Sequence, residues 1–270
     1  MLLDEENLRA ALARYPFYHV IPLTPSVSTP GRVWPNEALS SRLLSETDVR
    51  GKRVLDVGCR DGKFAFEAER LGAAEVVAID NDLSRGAVEV VIPALKSRVH
   101  MEQLSVFDAT PERLGRFDVV LCFGLIYHLR FPFWAFKLLR GVLVDDGLLL
   151  VETALVAMHE AVPLLYCPTG ADSPYEDTSC TFFNRRGLCD SLASVGFEVS
   201  TAGDLRATGL MGWIERQRAR FRAPTPASLR VYRAAFRCRK TQPDARVADY
   251  WEQTHSLHTV GFEPSRLQPR

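Results

Sequence analysis

The chain has 270 residues, 47% hydrophobic and 24% charged, enough for one large or two small domains with a full buried core and too apolar for extensive disorder. Its 33 basic and 33 acidic residues cancel, which argues against a dedicated nucleic-acid binder; the balance is uneven, however, with thirteen basic and six acidic residues in 201–270. Six scattered cysteines without a CxxC pair exclude the disulfide framework of a small secreted domain.

Residues 2–14 carry Leu2, Leu8 and Leu12 with acids near the start and read as a short helix. Those acids (Asp4, Glu5, Glu6) stand where a leader peptide has basic residues. No apolar run approaches the ~20 residues of a membrane span, so a cytoplasmic protein without a membrane span is expected. Residues 16–35 contain five prolines among Phe17, Tyr18, Val20, Ile21, Leu23 and Trp34. Proline at that density excludes regular structure, and the apolar side chains predict a segment that covers the main domain. Residues 1–45 are therefore separated from a domain at 46–240, followed by a polar tail at 241–270 with Trp251 and Phe262 as anchors.

Within the domain, strand and helix signals alternate. Strands are expected at Arg53–Val57, Glu75–Ile79, Val99–Leu104, Phe117–Phe123 and Leu148–Glu152, the last announced by the turn Asp145-Asp146-Gly147. Helices are expected at Phe64–Leu71, Leu83–Lys96 (interrupted by Pro93) and Pro132–Leu143. This order implies right-handed βαβ units and a parallel sheet covered on both faces. Residues 154–180 read as irregular, Asn184–Val195 as helix and Phe197–Ser200 as a short strand. Arg230–Lys240 alternates apolar and basic residues like a half-exposed final strand.

The chemistry concentrates in Val54-Leu55-Asp56-Val57-Gly58-Cys59-Arg60-Asp61-Gly62-Lys63-Phe64, a strand, a glycine turn and the opening of a helix. The glycine spacing is wrong for GxxxxGK[ST], and Phe64 takes its Ser/Thr position. GxGxxG fails as well, because Arg60 occupies the glycine that lets backbone approach a pyrophosphate, and Asp56 would repel one. The same acid suits a cationic, phosphate-free ligand. S-adenosylmethionine fits: Asp56 near its ammonium, directly or through water, and Asp80 on its ribose diol. Asp108 would take the adenine amino group with Phe107 or Val106 on the ring, and Gly124 would let backbone approach the methionine part.

These pieces, with VLDVGCRDGKFAFEAERLGA, VVAID, SVFDAT, FDVVLCFGLIYHL and LVDDGLLLVET in that order, resemble class I, Rossmann-like S-adenosylmethionine-dependent methyltransferases. The match runs from about Arg53 to Thr153 and continues weakly to Lys240. The resemblance implies an α/β fold with a seven-stranded, mostly parallel sheet, its last strand antiparallel, and helices on both faces. It implies donor contacts at Asp56, Gly58, Cys59, Arg60, Gly62, Asp80, Asn81, Phe107, Asp108, Phe123 and Gly124, with S-adenosylhomocysteine as product. Gly-Leu-Ile-Tyr-His resembles the branch that holds the bacterial tRNA wobble-uridine carboxymethyltransferase and many small-molecule methyltransferases. This chain departs from that tRNA enzyme in having only about fifty residues before the core and Leu129 after Tyr127-His128.

Candidate catalytic residues are Tyr127 and His128 after the fourth strand and Glu152 at the end of the fifth, His128 and Glu152 as general bases. The favoured reading is O-methylation of a small molecule. The alternatives are tRNA modification, N- or C-methylation, a catalytically silent relative, and use of carboxy-S-adenosylmethionine, for which Tyr127 and a C-terminal arginine could hold the carboxylate. Residues 16–35, 154–180 and 203–228 would build the acceptor pocket and lid. Phe131–Phe136 reads as core, Arg216, Arg218, Arg220 and Arg222 as a solvated face, and His255-x-x-His258 is too sparse for a metal. The sequence leaves the oligomeric state open.

Overall fold

The computed structural model describes residues 4–206 and 229–242. The four arginines of 216–222, most of the expected lid at 203–228, His255, His258, Trp251 and Phe262 lie outside the described residues, as do Leu2 and residues 243–270.

Asp4 caps helix α1 (Glu5–Leu12), accepting from Asn7 N at 2.8 Å. Helix α2 (Glu37–Ser45) follows the proline-rich segment. Strand β1 (Arg53–Val57) leads through the glycine turn to α3 (Lys63–Arg70), and β2 (Glu75–Asp80) follows. The expected helix 83–96 is a widened turn at Ala87–Val91 that runs into α4 (Ile92–Leu95). Pro93 has no N–H to return to the preceding turn, which accounts for the widening. Next come β3 (His100–Gln103), α5 (Pro111–Leu114), β4 (Phe117–Phe123) and α6 (Pro132–Gly141).

Strand β5 (Leu143–Val156) is much longer than Leu148–Glu152. Asp146 adopts φ +60 inside it and the register with β4 shifts between Phe117 and Val119, so the expected turn is a bulge within one strand. At its far end Leu155 pairs with β7 (Phe182–Phe183), which pairs with β6 (Leu165–Tyr166). Asn184 caps α7 (Arg185–Ser194), and β8 (Phe197–Asp204) and β9 (Val231–Lys240) complete the sheet.

Strand order is β3-β2-β1-β4-β5, continued by β9 and then β8. β1 to β5 are mutually parallel, and β9 runs antiparallel between β5 and β8. Those seven strands are the expected α/β sheet; β6 and β7 add a two-strand flap above β5. Alternation along β1 divides the core. Leu55 faces the layer of Ala135, Phe136 and Leu139 from α6, while Val54 faces Ala65 and Ala68 of α3 and Leu43 and Leu44 of α2. Asp56, two residues after Val54, therefore lies on the α3 side of the sheet.

Residues 16–35 are built onto the glycine turn. Thr29 Oγ1 donates to His19 O at 2.6 Å and accepts from Ile21 N at 2.7 Å. A Cβ at Gly31 would lie 2.1 Å from His19 O, so only glycine permits that close approach. Asp61, wholly buried, accepts from Tyr18 N at 2.7 Å, from His19 N at 2.8 Å and also pairs with His19 Nδ1. Lys63 Nζ donates to Val20 O at 3.2 Å and meets Glu37 at 3.0 Å. Asp61→Asn replaces one acceptor oxygen by a donor, and should cost about 1–3 kcal/mol and speed amide exchange at Tyr18 and His19. Unchanged exchange at those two amides would show that Asp61 does not anchor the cover.

Candidate active site

The carboxyl ends of β1, β2, β4 and β5 and the adjoining end of β9 converge on one edge, where ligands of open α/β sheets bind. Three features there test the fit of an S-adenosyl donor. Asp56 is 2% exposed, and its Oδ2 has no hydrogen-bond partner. Burial, with the charge of Asp80 next in weight, raises its carboxyl to about 7 despite a backbone bond from Ala65. A buried carboxylate with one oxygen unmet suits an ammonium group.

The loop above it is shaped by left-handed residues. Gly58 and Gly62 have φ +77 and +81, and Arg60 stands at φ +53, a region that costs a non-glycine residue about 1–2 kcal/mol. Arg60 thus takes the left-handed conformation that glycine favours. Arg60 N donates to Asp80 Oδ2 at 2.8 Å, and its guanidinium pairs with the Asp82 carboxylate. Gly58 N and Cys59 N both donate to Ile79 O, at 2.8 and 3.1 Å, which ties the loop to the end of β2.

Asp80 is the third feature. Its Oδ1 accepts from Asp82 N at 2.8 Å, so each oxygen holds one backbone bond. A carboxylate offers about four acceptor positions, which leaves room for both hydroxyls of a ribose. Asn81 is exposed beside it.

The other expected contacts divide by placement. Phe107 is half-buried in a short turn (Val106–Asp108), edge-on to Phe131 at 6.3 Å, and Asp108 is exposed at the end of that turn. Phe123 and Cys59 are buried, and the Phe123 ring packs edge-on against Phe64 at 5.0 Å, so Phe123 belongs to the core. Gly124 has φ +70, and a Cβ there would lie 3.5 Å from Arg233 Nη2 and 3.7 Å from Tyr127 Oη. The aromatic run 131–136 splits: Phe136 is fully buried and Phe133 packs near Phe183, whereas Phe131 is 67% exposed.

Beside Gly124 the structure brings together residues that are distant in sequence. Arg233, from β9, lies in the sheet's interior at 8% exposure. Its Nε and Nη2 donate to the two oxygens of Glu152 at 2.7 and 2.6 Å, and its Nη1 donates to Tyr127 Oη at 2.9 Å and to Tyr175 Oη at 3.3 Å. Ala154 opposes Arg233 and Ala235 opposes Glu152 in the β5–β9 register, which places the two charges diagonally on one face. Asn36 Nδ2 approaches Glu152 at 3.4 Å. Burial raises the Tyr127 phenol above its ordinary value, against the pull of Arg233, so it is protonated at neutral pH. Tyr18 stacks on Trp34 at 4.9 Å, and burial lifts its phenol to about 12, with Glu176, Arg233 and Tyr175 among the charges it feels.

His128 Nδ1 lies 3.4 Å from Thr178 O, and its Nε2 lies 3.7 Å from Glu176. Burial lowers its pKa, partly offset by the Thr178 bond and Glu176, which favours the neutral ring. Cys180 N and Thr181 N donate to Tyr127 O, and Thr181 Oγ1 donates to Leu129 O, so residues 178–181 strap the Tyr127-His128 turn. Sequence reading missed Asp61, Tyr175, His19 and Asn36. Arg233 was hidden as well: the alternation over Arg230–Lys240 reads as a half-exposed strand, whereas residues 232–236 are all buried and the Arg233 charge is met by Glu152.

The sheet order, the glycine turn and the acids at the ends of β1 and β2 define a Rossmann-like nucleoside-binding fold. A family model described as a methyltransferase domain matches residues 36–202, more than half of the chain, and the chain belongs to that family, the class I S-adenosylmethionine-dependent methyltransferases. It is 32% identical over 130 residues to a tRNA U34 carboxymethyltransferase of Pseudomonas paraeruginosa, covering 46% of this chain and 38% of that protein. A tRNA U34 carboxymethyltransferase of Campylobacter lari is 26% identical over 155 residues, covering 57% and 53%. The chain thus spans about two-fifths to one-half of the length of these relatives. Among solved structures, the N-terminal domain of EvdMO1 with S-adenosylhomocysteine and D-fucose aligns with a TM-score of 0.63 at 18% identity, over 89% of this chain and 98% of that one. At such identity the likeness concerns the fold. Among the described residues no helix is long and apolar enough to cross a membrane, and no His/Cys/Asp/Glu group could hold a metal.

Proposed function

We propose that this methyltransferase holds S-adenosylmethionine over the ends of β1, β2 and β4 and methylates an oxygen of a small molecule. The observation that carries the donor side is the buried Asp56 carboxylate with an unmet oxygen under the Gly58–Gly62 turn. Asp56 would take the ammonium and Asp80 the ribose hydroxyls. Phe107 and Asp108 would face the adenine, and Gly124 would pass the methionine end. When bound, the donor supplies a methyl carbon made electrophilic by the sulfonium. The chain's own part is alignment of the acceptor with that carbon, which accounts for much of the acceleration in such displacements.

The acceptor side supports a small molecule. Tyr127 and Tyr175 meet an ion pair whose charges cancel, and Tyr18 feels its arginine, a setting for one organic group rather than a phosphate backbone. We assign Glu152 to holding Arg233 and His128 to holding the 176–178 loop, in place of the proton-acceptor roles expected from their positions. A second reading, carboxymethyl transfer to tRNA, is favoured by the tRNA-modifying relatives and by the Arg233–Tyr127 contact beside Gly124, which could hold a carboxylate on the transferred group.

Calorimetry with S-adenosylmethionine and S-adenosylhomocysteine tests the donor site. Asp80→Ala removes two charge-assisted hydrogen bonds, each worth about 1.5–3 kcal/mol, and should weaken binding at least ~10-fold. Wild-type affinity in that variant would remove the ribose assignment. Acceptor class is read from S-adenosylhomocysteine release with small acceptors and with tRNA. Salt-sensitive tRNA binding followed by turnover would favour the second reading.

A further inference from the structure

A buried carboxylate stands behind one ring of the proline-rich cover. Asp61 lies in the Gly58–Gly62 turn, is wholly buried, and meets His19 Nδ1 as well as the amides of Tyr18 and His19. A carboxylate only accepts, so Nδ1 carries the proton and the lone pair of the neutral ring sits on Nε2. Such a pairing fixes the tautomer and stabilises the imidazolium that forms when Nε2 takes a proton. Among the described residues Nε2 has no hydrogen-bond partner. The unmet polar atoms that are closed to solvent belong to Ser40, Asp56, Thr153, Ser179 and Arg185. His19 is not one of them, and its side chain keeps 10% of its surface open, so Nε2 reaches open space.

The surroundings of that ring join the two halves of the site. Asp61 ties it to the turn that carries the donor. The ring meets Tyr18 edge-on at 4.8 Å, and the Tyr18 phenol feels the charges of Glu176 and Arg233 on the acceptor side. It also meets Phe64 at 5.8 Å, and Phe64 meets Phe123 at 5.0 Å; Phe123 ends β4 opposite Glu152, just before Gly124. An alcohol or phenol loses its proton as its oxygen is methylated, so a nearby group that takes the proton assists the transfer. His128 has an open Nε2 too, but the Thr178 carbonyl stands behind its Nδ1 at 3.4 Å, and the Glu176 carboxylate 3.7 Å from Nε2 is half-exposed. A neutral carbonyl at that distance stabilises an imidazolium less than a buried carboxylate does.

We infer that His19 takes the proton of the acceptor hydroxyl at Nε2, with Asp61 as the residue that positions its ring. The acceptor oxygen forms a bond to the methyl carbon as the carbon–sulfur bond breaks and its electron pair returns to sulfur. The hydroxyl proton passes to Nε2, the His19 imidazolium pairs with the Asp61 carboxylate, and water takes the proton once the ether has left. This inference rests on the O-transfer proposed above and fails separately from it.

The test has two arms, both on the full chain. In nitrogen NMR of histidine-labelled protein saturated with S-adenosylhomocysteine, His19 should show the Nδ1–H tautomer, and Asp61→Asn should mix the two tautomers. Phenol at millimolar concentration should move the His19 Nε2 signal and leave that of His128 in place. In the second arm, release of S-adenosylhomocysteine from S-adenosylmethionine is followed with phenol, catechol and benzyl alcohol as acceptors. His19→Asn keeps an N–H for Asp61 and deletes only the far nitrogen; it should slow turnover ~10²–10⁴-fold, and His128→Asn less than ~10-fold. Donor affinity and amide exchange at Tyr18 should stay as in the wild type, a result that a cover displaced by the substitution would not give. An Nε2–H tautomer at His19, phenol that moves His128 or neither ring, full turnover in His19→Asn, or a loss of turnover accompanied by faster Tyr18 exchange each overturns the inference. If the wild type methylates amines and none of the hydroxyl probes, the O-transfer reading falls instead, and the NMR arm still decides the state of His19. If S-adenosylhomocysteine does not bind, the donor reading falls.

Discussion

Arg233→Met is expected to destabilise this protein by about 3–5 kcal/mol. The cost comes less from the lost ion pair than from what remains. Glu152 is fully buried, and without the guanidinium its oxygens keep, among the described residues, only the distant Asn36 amide at 3.4 Å. Glu152→Leu alone leaves Arg233 with a charge at 8% exposure and two tyrosine oxygens, a comparable penalty. The double variant Glu152→Leu, Arg233→Met removes both charges, and should recover most of the loss because desolvating the pair had consumed much of its attraction. Urea midpoints for the four proteins close the cycle, with a coupling of at least ~2 kcal/mol expected. Additive losses in the double variant would mean zero coupling, and that the two charges do not sustain one another. The double variant should also lose acceptor binding while keeping the donor, since Tyr127 and Tyr175 would no longer be oriented.

That pair also marks where the sequence stops being legible. The strand–turn–helix at Val54–Phe64 and the acids Asp56 and Asp80 declare themselves locally, because a strand end, a tight turn and a helix start are set by neighbouring residues. β5 was underestimated because Asp146 and Gly147 resemble a turn; in the sheet they form a bulge whose neighbours keep their ladder. The β6–β7 flap has two-residue strands, too short for any periodicity to announce. The acceptor side was least readable, since Tyr127, Glu152, Tyr175 and Arg233 are 23 to 106 positions apart and meet only through the sheet. Asp61 was hidden differently: it sits in the most informative motif, yet its partners Tyr18 and His19 lie more than forty residues earlier.

Donor affinity should pass through a maximum between about pH 7 and 8. In the free protein the Asp56 carboxyl titrates at about 7, raised chiefly by burial, whereas an α-ammonium loses its proton near ~8. Binding pairs a carboxylate with an ammonium, so the complex must lose the proton on Asp56 and keep the one on the ligand. Below pH 7 affinity should therefore fall by nearly tenfold per pH unit, and calorimetry at pH 6 in buffers of different ionisation enthalpy should record release of close to one proton per donor bound. Stability of the free protein takes the opposite sign. A carboxyl raised from 3.8 to about 7 makes the folded state the better proton binder between those values. The contribution of Asp56 is present at low pH and is lost as pH rises through 7, by up to about 4 kcal/mol. Asp56→Asn removes both effects: it should flatten the acid limb of donor binding, weaken the donor ~10–100-fold at pH 7.5, and leave the free protein more stable than wild type at pH 8. A variant that bound the donor normally with the pH dependence intact would place the ammonium elsewhere. Normal binding with the dependence abolished would show Asp56 titrating without touching the ligand. The two outcomes separate a structural buried acid from one that receives the donor.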